Sequence, residues 1–137
     1  ISWNGTYWIA VGAGTTNTIA YSSNGINWTG LGTTIFTGPA DSISWNGTMF
    51  VAGGQGTNTL AYSYNGINWI GLGQTIFNNT GFGIAWNGTM WVAGGSVSNT
   101  LAYSYNGINW TANNISFFSI FFGFFSKFFI FTLRSKK

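Results

Sequence analysis

The sequence predicts an all-β array of one repeated unit, and three observations carry that prediction. Residues 45–69 and 86–110 agree at 21 of 25 positions, and residues 3–28 form a looser third copy. A recurrence of about 41 residues is the length of one repeating supersecondary unit. Asn-Gly dipeptides punctuate every copy between short runs of β-branched and aromatic residues, as hairpin turns do. No window of the repeat region sustains a 3.6-residue apolar period, and its glycine density disfavours helix.

Within the middle copy each element has a local cause. Ser42-Ile43-Ser44-Trp45 alternates as a strand does and runs into Asn46-Gly47, where both residues tolerate the positive φ of a two-residue type I′ hairpin. Thr48-Met49-Phe50-Val51-Ala52 supplies a strand apolar on both faces, as covering on two sides requires; Gly53-Gly54-Gln55-Gly56-Thr57-Asn58 is expected to break it. Residues 59–64 alternate, with Leu60, Tyr62 and Tyr64 on one face and Ala61 and Ser63 on the other. Asn65-Gly66 turns the chain again, and Asn68-Trp69-Ile70 leads a fourth strand blurred by Gly71 and Gly73.

Four antiparallel strands in about 41 residues match one blade of a β-propeller. The expected fold is a partial β-propeller of about three four-stranded antiparallel blades, near residues 1–42, 43–83 and 84–118, in a repeat array covering 1–114. A β-solenoid is the alternative, but its strands run parallel and have no use for Asn-Gly hairpins.

Composition narrows the function. Of the 137 residues only Asp41, Lys127, Arg134, Lys136 and Lys137 are charged, so all of the positive charge behind the net +3 lies in the last eleven residues. No basic groove tracks phosphates, which argues against a nucleic-acid partner. There is no cysteine, hence no disulfide framework and no thiolate site. An aromatic content of 20%, with eight tryptophans, argues against disorder. The sequence opens at Ile1 inside a copy and so reads as a fragment, whose exposed blade faces should make it self-associate.

The segments Ser22-Ser23-Asn24-Gly25-Ile26-Asn27-Trp28, Ser63-Tyr64-Asn65-Gly66-Ile67-Asn68-Trp69 and Ser104-Tyr105-Asn106-Gly107-Ile108-Asn109-Trp110 resemble the Asp-box, or BNR repeat, of sialidase-like propellers. That motif reads approximately Ser-x-Asp-x-Gly-x-x-Trp; each copy here is one residue shorter and has Asn for Asp. The resemblance implies a turn between the third and fourth strands of each blade, with a structural role. A short polar side chain bonds back to turn amides, the glycine takes a left-handed conformation, and the tryptophan covers the hairpin. The charge-poor wording also resembles repeat proteins of large DNA viruses and environmental sequences. Location is not assigned by the sequence; membrane-anchored, extracellular and virion-surface settings all fit.

The chemistry points away from an enzyme. A sialidase-type hydrolase uses an arginine cluster, an acid/base carboxyl group and a tyrosine nucleophile, whereas this chain has no Glu, no His, one Asp and one Arg. Ser-His-Asp catalysis, paired carboxylates and His/Cys metal sites are equally unsupplied, so no catalytic, metal or cofactor residue is assigned. The alternative is a fragment of an Asp-box glycoside hydrolase whose catalytic blades lie elsewhere.

Three of the four differences between the two closest copies, at Gln55/Ser96, Gly56/Val97 and Thr57/Ser98, fall in the loop between second and third strands. In propellers that loop opens opposite the Asp-box turns, and loops on a rigid scaffold carry function. Candidate ligand residues are therefore Gln55, Asn58, Ser96 and Asn99, with Asp41, Asn78 and Asn79 on the connecting segments. Neutral amides and hydroxyls beside Tyr and Trp suit a glycan, and a protein ligand also fits; the repeated tryptophans are expected to fill the blade core. Seven Asn-x-Ser/Thr sequons occur, at Asn4, Asn27, Asn46, Asn78, Asn87, Asn109 and Asn114, most of them by-products of the turns.

Past Asn114 the repeat stops. Residues 115–133 contain nine phenylalanines and are followed by Arg134-Ser135-Lys136-Lys137. As a helix this stretch nearly spans a bilayer and its basic end suits a cytoplasmic flank, although Lys127 opposes insertion. Two other readings stay open: residues 115–118 as the end of an outer strand, and the remainder as a non-native extension.

Overall fold

The computed structural model describes residues 1–113. The segment 115–137, with its membrane, outer-strand and extension readings, lies outside the described residues. Among those described there is no helix, and none therefore is long and apolar enough to cross a membrane.

Among the described residues twelve strands form three antiparallel sheets of four. β1 (Ser2–Trp3), β2 (Trp8–Val11), β3 (Ile19–Ser22) and β4 (Thr29–Gly30) make the first. The second contains β5 (Ala40–Trp45), β6 (Phe50–Gly54), β7 (Leu60–Ser63) and β8 (Ile70–Gly71). In the third lie β9 (Gly81–Trp86), β10 (Trp91–Gly95), β11 (Leu101–Ser104) and β12 (Thr111–Asn113). Each sheet is a simple meander in chain order, with register fixed by pairs such as Trp45↔Phe50 and Ala52↔Ala61.

Two local expectations are corrected. The Asn46-Gly47 hairpin is not type I′, because Gly47 has φ +97° whereas Asn46 is not among the residues with positive φ. Instead Asn46 Oδ1 accepts hydrogen bonds from the amides of Thr48 (2.9 Å) and Met49 (2.8 Å). The side chain thus replaces the backbone carbonyl that would close a two-residue turn. Asn4 and Asn87 do the same in the other sheets.

The second correction concerns Gly53 and Gly54, which continue β6 rather than break it. A Cβ at Gly53 would stand 2.5 Å from the Gly81 carbonyl oxygen. Glycine is used here for close approach of the next sheet, and its strand pairing is kept.

The sheets stack in sequence, β5 against β1 and β2, and β9 against β5 and β6. Between the first and second lies a core of Ile9, Ile19, Phe36, Phe50 and Ala52. Between the second and third, Met49, Val51 and Trp91 form one cluster and Leu60, Phe77 and Ala93 another. As expected for a strand covered on both faces, every residue of β6 is buried. The arrangement is consistent with part of a propeller-like fold, and no closed ring is formed among the described residues.

β5 and β9 open at Ala40 and Gly81, each three residues ahead of the expected blade starts at 43 and 84. Each starts with a shift in register, so that Asp41 and Phe82 are the extra residues of a bulge.

Candidate functional site

A meander puts alternate connections at opposite ends of each sheet, and the two ends are built differently. At one end, the β7–β8 connection is held by its own side chains. Ser63 Oγ accepts from Gly66 N (2.8 Å), and Asn65 Oδ1 accepts from Ile67 N (2.9 Å) and Asn68 N (2.8 Å). Trp69 Nε1 donates to Gly66 O (2.9 Å). Gly66 has φ +78°, and its missing Cβ leaves room for Ile9 of the first sheet.

Ser22, Asn24, Gly25 and Trp28 repeat this geometry in the first sheet. Ser104, Asn106, Gly107 and Trp110 repeat it in the third. Asn suffices in place of Asp because only its acceptor oxygen is used.

At the other end, the β6–β7 loop is tied to residues far away in sequence. Asn58 Nδ2 donates to Ile35 O (2.7 Å), on the segment entering the second sheet, and Asn58 Oδ1 accepts from Gly73 N (2.8 Å), on the segment leaving it. Asn99 Nδ2 donates to Ile76 O (2.7 Å), and Asn17 Oδ1 accepts from Gly32 N (2.8 Å). The buried Thr59 adds a bond to Phe77 O (2.8 Å), as Thr18 does to Phe36 O (3.1 Å).

The predicted ligand residues thus divide. The amides of Asn58 and Asn99 hold the scaffold, and Asn78 Oδ1 accepts from Ser98 N (3.2 Å), as Thr37 Oγ1 does from Thr57 N (3.0 Å). Ser96 donates its backbone N–H to Thr80 O (3.0 Å), while its buried Oγ has no hydrogen-bond partner among the described residues.

Asp41 and Gln55 pair with each other, and Asn79 adjoins the residue that faces Gln55. Gln55 Nε2 donates to Asp41 Oδ2 (3.3 Å), and Gln55 bridges Thr80, the residue after the exposed Asn79. Partial covering of the Asp41 carboxyl raises its pKa above the ordinary carboxylate value, and the bond from Gln55 pulls the other way. Asp41 as a whole remains in solvent, so the energetic consequence is small.

The sequence reading missed Asn17 and the threonines beside these asparagines. The signal was present: Asn-Thr occurs at the same place in every copy, as Asn17-Thr18, Asn58-Thr59 and Asn99-Thr100. Also unanticipated is a cleft of about 240 Å³ between the first and second sheets, walled by Ile19, Leu31, Ile35, Ile67 and Trp69. None of the candidate ligand residues lines it.

Among the described residues no group of three or more His, Cys, Asp or Glu could hold a metal ion. No protein-family model, no curated protein and no solved structure matches the chain.

Proposed function

We propose that the chain is a non-catalytic β-propeller repeat scaffold whose β2–β3, β6–β7 and β10–β11 loop end receives a neutral ligand, a glycan by preference. The observation that carries this reading is the division of polar groups between the two ends. At the turn end the Ser, Asn and Trp polar atoms close their own loops. At the loop end the Asp41–Gln55 pair and Asn79 stand where neighbouring segments converge. Kinship with Asp-box propellers is part of the proposal, supported by the turn geometry.

A neutral amide beside a partly covered carboxyl group accepts and donates to sugar hydroxyls without requiring a charged ligand. The test is to titrate the full chain with neutral and sialylated oligosaccharides by calorimetry while assaying their hydrolysis. Binding without turnover is expected, and Gln55→Ala combined with Asn79→Ala should abolish it. Hydrolysis would overturn the non-catalytic assignment. Binding untouched by the double substitution would move the ligand away from the loop end.

A further inference from the structure

We infer that the outer faces of the first and third sheets are the two halves of one interface, and that a second copy of this chain docks across them head to tail. Burial at equivalent positions supplies the argument. Trp8, Phe50 and Trp91 occupy the same place in the three sheets, yet Trp8 is 37% exposed while Phe50 and Trp91 are fully buried. One residue further on the order reverses: Ile9 and Val51 are fully buried, and Val92 is 38% exposed.

Each sheet therefore has a donor face, carrying the aromatic and the Asp-box-like turn, and an acceptor face, carrying the aliphatic residue. In the internal interfaces donor meets acceptor: Gly66 of the second sheet lies on Ile9 of the first, and Gly107 of the third lies on Met49 of the second. Among the described residues nothing covers the first sheet's donor face, where Trp3 is 39%, Trp28 39% and Ile26 80% exposed.

Among the described residues nothing covers the third sheet's acceptor face either. Gly94 is equivalent to Gly53, which lies against Gly81 of the neighbouring sheet, but a Cβ at Gly94 would meet nothing nearer than 3.9 Å. The Trp3 and Trp8 rings lie 5.1 Å apart, and the turn that carries Ile26 and Trp28 meets Trp8 at Gly25; an exposed apolar surface of this kind marks an interaction site.

The occupant is a second copy because the missing complement of each face is present at the other end of the same chain, in an interface the fold already makes twice. A heterologous contact of this type closes into a ring when its rotation permits. Two copies would contribute six sheets, within the four to eight of closed propellers. The pairing of faces stands on burial; the ring size also rests on the propeller reading.

Sedimentation velocity on the full chain and on Ile26→Asp and Val92→Asp tests both. These side chains are exposed, so the monomer fold is spared. A wild-type dimer is expected, each variant alone should be monomeric, and an equimolar mixture should regain a dimer through the one undamaged interface.

A monomeric wild type overturns the proposal, as happens if residues 114–137 cover either face. Association that survives both substitutions, or that only Ile26→Asp disrupts, overturns it as well, since those outcomes indicate tail-driven or symmetric contact. Failure of the mixture to re-form a complex also overturns it. A ladder of longer wild-type oligomers, abolished by each variant and partly restored by mixing, supports the interface while removing the six-sheet ring.

Discussion

Asn58 and Asn65 belong to the same repeat, flank the same strand, and perform opposite tasks. Asn65 receives hydrogen bonds from amides two and three residues along the chain, so it closes a turn that any isolated hairpin could form. Asn58 reaches 23 residues back and 15 residues forward, joining the segment that enters its sheet to the segment that leaves it. One end of the sheet is therefore hydrogen-bonded locally and the other across long stretches of sequence. The lesson is that one residue type can be a turn former or a long-range fastener, and only the reach of its bonds distinguishes the two.

The largest effects should fall at the fastened end. Phe77 lies on the segment between the second and third sheets, is fully buried against Gly95, and gives its carbonyl to Thr59. Phe77→Ala should cost about 3–5 kcal/mol, as truncation of a buried aromatic does. At the turn end Trp69→Ala should lose less, because Trp69 is only partly buried, and Asn65→Ala about 1 kcal/mol. Denaturant midpoints with unchanged slopes would measure all three. A Trp69→Ala loss equal to that of Phe77→Ala would erase the distinction between the ends.

A finer cut separates the two asparagines by donor capacity. Asn65 acts through Oδ1 alone, so Asn65→Asp should stay within about 0.5 kcal/mol of the parent. Asn58→Asp keeps the acceptor for Gly73 N but removes the donor to Ile35 O, leaving that carbonyl unpaired at a cost of about 1–3 kcal/mol. Equal stabilities of these two variants at neutral pH would show that the Asn58 amide donor carries no weight.

The same contrast explains what the sequence reveals. Strand number, grouping in fours and the Ser-x-Asn-Gly turns were legible because their causes lie within a few residues: alternation, Asn-Gly punctuation and a tryptophan at fixed spacing. The strand through Gly53 was not, since the reason for glycine there is the backbone of Gly81, 28 residues away. The turn at Asn46 was located but given the wrong conformation, because a side-chain acceptor competes with the backbone one. At the candidate site, Asn58 and Asn99 look like free loop amides until the segments holding Ile35 and Ile76 are folded beside them.

A smaller effect is expected at Val97. It takes φ +79° where the second sheet has Gly56 at φ +96°, and a β-branched residue is strained in that region. Val97→Gly should stabilise the chain by about 1 kcal/mol, since relief of left-handed strain outweighs the added freedom of glycine in the unfolded chain. A loss of stability would mean that the third loop draws support from the valine side chain despite its exposure, and would set this loop apart from its counterpart in the second sheet.

The smallest predicted effect is the pH response of Asp41. Covering of its carboxyl raises the folded pKa above 3.8, and the Gln55 bond offsets part of that rise. In the window between the unfolded and folded values the folded chain binds more protons than the unfolded one. Stability therefore falls as pH rises through the window and stays lower above it. Asp41→Asn should remove this slope and leave the variant slightly more stable at neutral pH. Gln55→Ala should push the carboxyl higher still, because the contact favouring the charged form is gone. Carboxyl-carbon NMR titration, together with denaturant midpoints over roughly pH 3 to 7, reads both quantities. A folded pKa below the unfolded value would reverse the sign, mean that Gln55 outweighs the covering, and make the Asp41–Gln55 pair a stabilising contact of the loop end.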